Sequence, residues 1–173
     1  MRQTLVMTII APDRTGLVEA LARAVADHDG NWLESRMCRL GGEFAGILRI
    51  ELPADRQSAL LDNLQKISGL NVVARLDART APPKAARETT LEIIGHDRPG
   101  IVRETTSALA RAGVNVEEFS SECLSAPMSG EPLFLANARL ALPDHCDLPA
   151  LKRQLEKIAA DLMVDISFTG SPP

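Results

Sequence analysis

Two short stretches carry the residue types from which a binding site is built. Asp13-Arg14-Thr15-Gly16-Leu17-Val18 and Asp97-Arg98-Pro99-Gly100-Ile101-Val102 each set a carboxylate, a guanidinium and a glycine directly ahead of an apolar pattern at helical spacing. In such a loop the Asp side chain either caps the first helical amides or stands free to attract a cation. Glycine lets another molecule approach the backbone. An Asn follows each helix, Asn31 in one stretch and Asn115 in the other. It either occupies a left-handed turn position or presents its amide as donor and acceptor. The stretches differ in that the first has Pro12 and Thr15 where the second has His96 and Pro99. Only the second therefore adds ring nitrogens, which are either solvated or turned to a ligand.

Other chemistry is sparse. No G-x-S-x-G, Walker loop or paired-carboxylate pattern occurs. His145 beside Cys146 is not a metal-ligand spacing, and Cys38 and Cys123 fall in different halves of the chain. No metal and no cofactor is expected. The three cysteines form no C-x-x-C pair and suit reduced thiols, so the expected location is cytoplasmic. A net charge of −4, scattered arginines and 3% aromatic residues weigh against direct nucleic-acid binding. No apolar run approaches the ~20 residues of a membrane span, so no membrane partner is expected.

The elements that must position these residues come as a repeat. Ile9-Ile10-Ala11-Pro12 lies over Ile93-Ile94-Gly95-His96, and the register holds without a gap as far as Asn31 and Asn115. The second copy then carries a longer loop, about Ser125 to Glu131, which is either a partner contact or a tolerated insertion. Beyond it Pro53 pairs with Pro143, and Leu60, Leu64 and Ile67 pair with Leu151, Leu155 and Ile158. The expected domains are 1–79 and 89–170, joined by a linker at 80–88 within the Asp77 to Thr89 connection, whose core is Ala-Pro-Pro-Lys.

Each copy reads strand, helix, strand, strand, helix, strand. Leu5 to Ile10 is β-rich; Leu17, Val18, Leu21, Ala22 and Val25 share one helical face, with Asp13 expected to cap it and Pro99 expected in the first turn of its counterpart. Gly41-Gly42 supplies the positive φ of a tight hairpin between Asn31 to Arg39 and the alternating strand Phe44 to Leu52, which Phe134 to Leu142 repeats. Asp55 and Asp147-Leu148-Pro149 are expected to start the second helices. Leu70, Val72, Ala74 and Leu76, matched by Leu162, Val164, Ile166 and Phe168, close the units. Met7, Met37 and Met163 are expected to fill cores. The fold class is α+β: two ferredoxin-like βαββαβ domains, each a four-stranded antiparallel sheet with two helices on one face. The bare sheet face needs a cover, and the sister unit is the expected one.

Paired D-R-x-G-[LI]-V loops, each with an Asn beyond the helix, resemble tandem ACT domains. The stretch Asn31-Trp32-Leu33-Glu34-Ser35-Arg36-Met37-Cys38-Arg39-Leu40-Gly41-Gly42-Glu43-Phe44 is similar to the first domain of the glycine cleavage system transcriptional repressor family. The resemblance implies a non-enzymatic regulator that senses a small amino acid, with glycine the implied case. Its ligand residues would be Asp13, Gly16, Asn31, His96, Asp97, Gly100 and Asn115. It also implies a protein partner, such as a transcriptional activator, in place of direct DNA contact, and leaves a homodimer open. A second implied reading is a regulatory module acting in trans on an amino-acid or folate enzyme. Acylphosphatases share the topology and use a loop Arg with an Asn, as Arg14 and Asn31 superficially do, but their V-Q-G-V-x-F-R loop is missing.

Overall fold

The structure, a computed structural model, describes residues 1–77, 87–126 and 130–169. The Ala-Pro-Pro-Lys core of the linker and Met128 of the long loop lie outside the described residues. Two compact units divide the chain, Met1–Pro82 and Pro83–Pro173.

The first unit runs β1 (Arg2–Pro12), α1 (Leu17–Ala26), β2 (Asn31–Leu40), β3 (Glu43–Pro53), a 3-10 turn (Ala54–Arg56), α2 (Gln57–Gln65) and β4 (Asn71–Leu76). The second runs β5 (Arg87–His96), α3 (Ile101–Arg111), β6 (Asn115–Ser125), β7 (Pro132–Leu142), α4 (Leu148–Leu162) and β8 (Val164–Thr169). Their sheets have strand orders β2-β3-β1-β4 and β6-β7-β5-β8, antiparallel throughout. This is the split βαβ arrangement expected from the repeat. β5 starts at Arg87, which pairs with Leu142, so the end of the stretch read as linker is already strand.

Period-two alternation decides which side chains meet the helices. Leu5, Met7, Ile9 and Ala11 of β1 and Leu48, Ile50 and Leu52 of β3 are buried with Leu17, Leu21 and Val25 of α1 and Leu60 and Leu64 of α2. Leu91 and Ile93, Phe134 to Leu142, Ile101, Leu109, Leu151 and Leu155 build the second core in the same way. Val18 and Ala22, expected on the inner face of α1, are exposed, because the stripe that meets the core is Leu17, Leu21, Ala24 and Val25 and the i, i+4 pair Val18 and Ala22 lies beside it. Met163 is also exposed, contrary to expectation: it takes a left-handed conformation at the end of α4 and points out of the core. Met7 is fully buried and Met37 packs against the first core.

The hairpin at Gly41-Gly42 has φ of 60° and 85°, the paired positive values a two-residue turn demands. Asp147 caps α4 as expected, its Oδ1 accepting from the Ala150 amide at 2.9 Å. Asp55 instead lies within the 3-10 turn, and α2 begins after it at Gln57.

Candidate functional site

The loops after β1 and β5 are shaped by their glycines. Gly16 and Gly100 stand at the N-caps of α1 and α3 with φ of 85° and 104°, a left-handed conformation that costs an L side chain energy and glycine nothing. Pro99 therefore sits ahead of the N-cap of α3 and not in its first turn. Neither Asp13 nor Asp97 caps its helix: no side chain bonds the first amides of α1 or α3. The helix proper begins with Ala20 N–H donating to Gly16 O and Glu104 N–H donating to Gly100 O, both at 2.9 Å. The amides of Leu17 to Glu19 and of Ile101 to Arg103 are thus left to solvent or to an anion, with the positive end of the helix dipole behind them. α4 differs, because Asp147 already occupies that place.

What the Asp residues do instead follows from the hairpin beside them. The Asp13 amide donates to Gly42 O at 2.9 Å and the Asp97 amide to Pro132 O at 3.1 Å, so the start of β3 or β7 pins each loop. That brings the last residues of β2 and β6 to the Asp side chains. Arg39 Nη1 lies 3.4 Å from Asp13 Oδ2. Cys123 holds the equivalent place on β6, opposite Phe134 as Arg39 is opposite Phe44. Partial desolvation and, after it, the nearby Asp97 carboxylate push the Cys123 thiol above its ordinary value. His96 Nδ1 is 3.6 Å from Glu131 Oε2, and Arg98 Nη2 is 3.8 Å from the Met163 sulfur. In the first unit a cleft of about 280 Å³ opens here, lined by Asp13, Arg14, Gly16 to Glu19 and Phe44. That is the lower end of small-molecule sites.

Asn31 and Asn115 do not join these loops. Asn31 opens β2 opposite Glu51, whereas Asp13 is tied to Gly42 at the other end of β3. Eight steps of about 3.3 Å from Glu43 to Glu51 put them roughly 26 Å apart. Asn115, opposite Ala141, is at least as far from Asp97. The helix between loop and Asn runs the length of the sheet, and this separates them. Neither Asn is a left-handed turn residue either, since the non-glycine residues with positive φ among those described are Asp29 and Met163. Asn115 Nδ2 donates to Glu117 Oε1 at 2.5 Å.

Sequence reasoning missed Arg39, Cys123 and Glu131. The available signal was the hairpin itself, which must return the end of the second strand to the first loop.

A second hollow, about 590 Å³, lies at the opposite end of the second unit, lined by Arg111, Gly113, His145, Cys146, Asp147 and Gln154 among others. Burial is the largest influence on Cys146 and raises its thiol pKa, against a lowering by Arg87 and with a further rise from Asp147. No group of three or more His, Cys, Asp or Glu suited to a metal ion exists among the described residues, and none of their helices is long and apolar enough to cross a membrane.

Two βαββαβ units with glycine-opened helices define a tandem ACT protein, and the family models agree: ACT domain matches cover residues 3–72 and 89–131. The chain belongs to the ACT-domain family. It is 24% identical over 172 residues to the glycine cleavage system transcriptional repressor of Escherichia coli, a match covering 96% of this chain and 87% of that protein. A crystal structure of an unknown protein from Galdieria sulphuraria shares 31% identity with a TM-score of 0.83, covering 97% of this chain and 98% of that one. A candidate glycine cleavage system transcriptional repressor of known crystal structure shares the fold at 20% identity and a TM-score of 0.69, over 98% of this chain and 97% of its own.

Proposed function

We propose that this chain is a non-enzymatic regulator that senses a small α-amino acid at its strand-to-helix loops and passes the signal on through contacts with a protein partner. The observation that carries the reading is the pair of open helix starts at Gly16 and Gly100, each flanked by an Asp that is not used as a cap. Free amides and a positive dipole end suit the ligand carboxylate; Asp13 or Asp97 suits its ammonium, with His96 at the rim of the second loop. The likeness to the E. coli repressor supports glycine-linked control of transcription as the specific form. Exerting it through a DNA-binding activator agrees with the net charge of −4. A ligand held at one loop does not reach the Asn of the same unit, so Asn31 and Asn115 are left out of this site.

A thermal-shift screen of the proteinogenic amino acids tests the reading. A ligand at 100 times its dissociation constant stabilises by about 2.7 kcal/mol, a shift of several degrees for a domain of this size. A shift confined to one or a few small amino acids, lost when Gly16 and Gly100 are both replaced by Val, supports it. No shift with any of them overturns it.

A further inference from the structure

We propose that the outer face of the first sheet, the face turned away from its helices, docks on the outer face of the second sheet of another copy of this chain, so that two copies pair head to tail. Each chain carries one face of each kind, and a two-fold pair uses all four with none left bare.

Strand register decides which side chains share an outer face. On the first sheet one row runs Val73, Thr8, Ile47 and Arg36, and the next runs Arg75, Val6, Arg49 and Glu34. Ile47 and Val73 are 54% and 60% exposed, a bare apolar strip across the sheet. Arg49 is held by Glu34 and Asp77. Arg36 and Arg75, on the edge strands β2 and β4, have no ion pair among the described residues. The second sheet repeats the plan with the charges reversed. Arg139 is again held by two carboxylates, those of Glu88 and Glu118. Exposed Ile94 and half-buried Leu135 form the apolar strip, flanked in the same row by Asp165 on the edge strand β8 and Glu122 on the edge strand β6. Glu92 lies one row away. None of Glu92, Glu122 and Asp165 has an ion pair among the described residues. Cations at the edges of one apolar strip are complementary to carboxylates at the edges of the other, whereas first face on first or second on second sets like charges together. The area also fits. A sheet of four strands about 4.8 Å apart, shared over six residues of about 3.3 Å, offers roughly 380 Å² a face, so the four faces of a pair bury roughly 1,500 Å², the size of a stable interface.

Sedimentation velocity of the full-length chain, at concentrations up to about 100 μM, should show a dimer that weakens as salt screens the charges. Arg36→Glu with Arg75→Glu turns the first face acidic, and Glu122→Arg with Asp165→Arg turns the second face basic; all four side chains are exposed, so the cores are untouched. Either variant alone should dimerise at least about tenfold more weakly. Mixed in equal amounts, the two should form a heterodimer of wild-type strength, because one chain then carries two acidic faces and the other two basic ones. That rescue also shows that both variants are folded. If a reversal does not fold, Arg36→Gln with Arg75→Gln decides the matter, and should weaken the dimer and flatten its salt dependence. A chain that stays monomeric over this range overturns the proposal, as does a dimer that either reversal leaves intact. Weakening without rescue on mixing also overturns it, since that is the result expected when like faces meet or when the faces are covered within one chain.

Discussion

The first and second loops are the same backbone device with different charges around it. Both use a positive-φ glycine to start the helix and a hairpin carbonyl to hold the Asp amide. Yet Arg39 closes an ion pair on Asp13, while Cys123 stands at the equivalent place and Asp97 has no ion pair among the described residues, and the second loop gains the His96 and Glu131 pair. The comparison teaches that a duplicated unit conserves what the backbone needs and leaves electrostatics free to diverge. Salt and hydrogen-bonding partners at exposed positions contribute little to stability, so exchanging them costs the fold little.

The sharpest way to break the equivalence of the units lies in their sheets. Gly95 stands where the first unit has Ala11, and a Cβ at Gly95 would meet the Val164 Cα at 2.7 Å and the Met163 carbonyl at 2.9 Å. Backbone atoms have nowhere to retreat, so Gly95→Ala should destabilise the second unit by about 3 kcal/mol. Gly46→Ala should cost the first unit a similar amount, since its Cβ would press on the Met37 side chain and lie 2.5 Å from the Arg36 carbonyl. Denaturant unfolding, followed by Trp32 fluorescence for the first unit and by circular dichroism for both, checks each change. A loss below about 0.5 kcal/mol in either would show that the sheets part more easily than their packing implies.

A gain of stability is expected at Thr105. Its hydroxyl is buried and unpaired in the second core, at the place Leu21 fills in the first. Thr105→Val keeps the shape and removes the stranded polar atom, and should stabilise by about 1–2 kcal/mol, readable as a higher Tm.

Smaller effects should follow at the Asn residues. Asn31→Leu and Asn115→Leu remove exposed side chains that hold no left-handed turn, so each should shift stability by less than about 0.5 kcal/mol. A larger drop in Tm would restore the structural role that their backbone conformation denies them.

The smallest effect sharpens the difference between the Asp residues. Partial desolvation and, after it, the nearby Asp97 carboxylate hold the Cys123 thiol above its ordinary value, which lowers its thiolate fraction at neutral pH. Asp97→Asn should therefore speed alkylation of Cys123 a few-fold at pH 7.5, measured by mass spectrometry in a Cys38→Ser, Cys146→Ser background. An unchanged rate would mean that desolvation alone sets the thiol.

Much of this molecule was legible in its sequence, because repetition and periodicity are local properties. The alternation from Phe44 to Leu52, the Gly41-Gly42 turn, the cap at Asp147 and the two-unit βαββαβ order each depend on residues a few positions apart. The ACT likeness was legible for the same reason, resting on short motifs at Asp13 and Asp97. What the sequence could not decide is whatever depends on direction through space. Asp13 and Asn31 are near in sequence but at opposite ends of a sheet, because the intervening helix carries the chain back along its length. Arg39 is remote in sequence yet against Asp13, because antiparallel pairing returns the strand to its start. Asp13 was free to be a cap on sequence grounds. Only the tertiary structure, by tying its amide to Gly42 and giving the N-cap to Gly16, turned its carboxylate away from the helix and left those amides open.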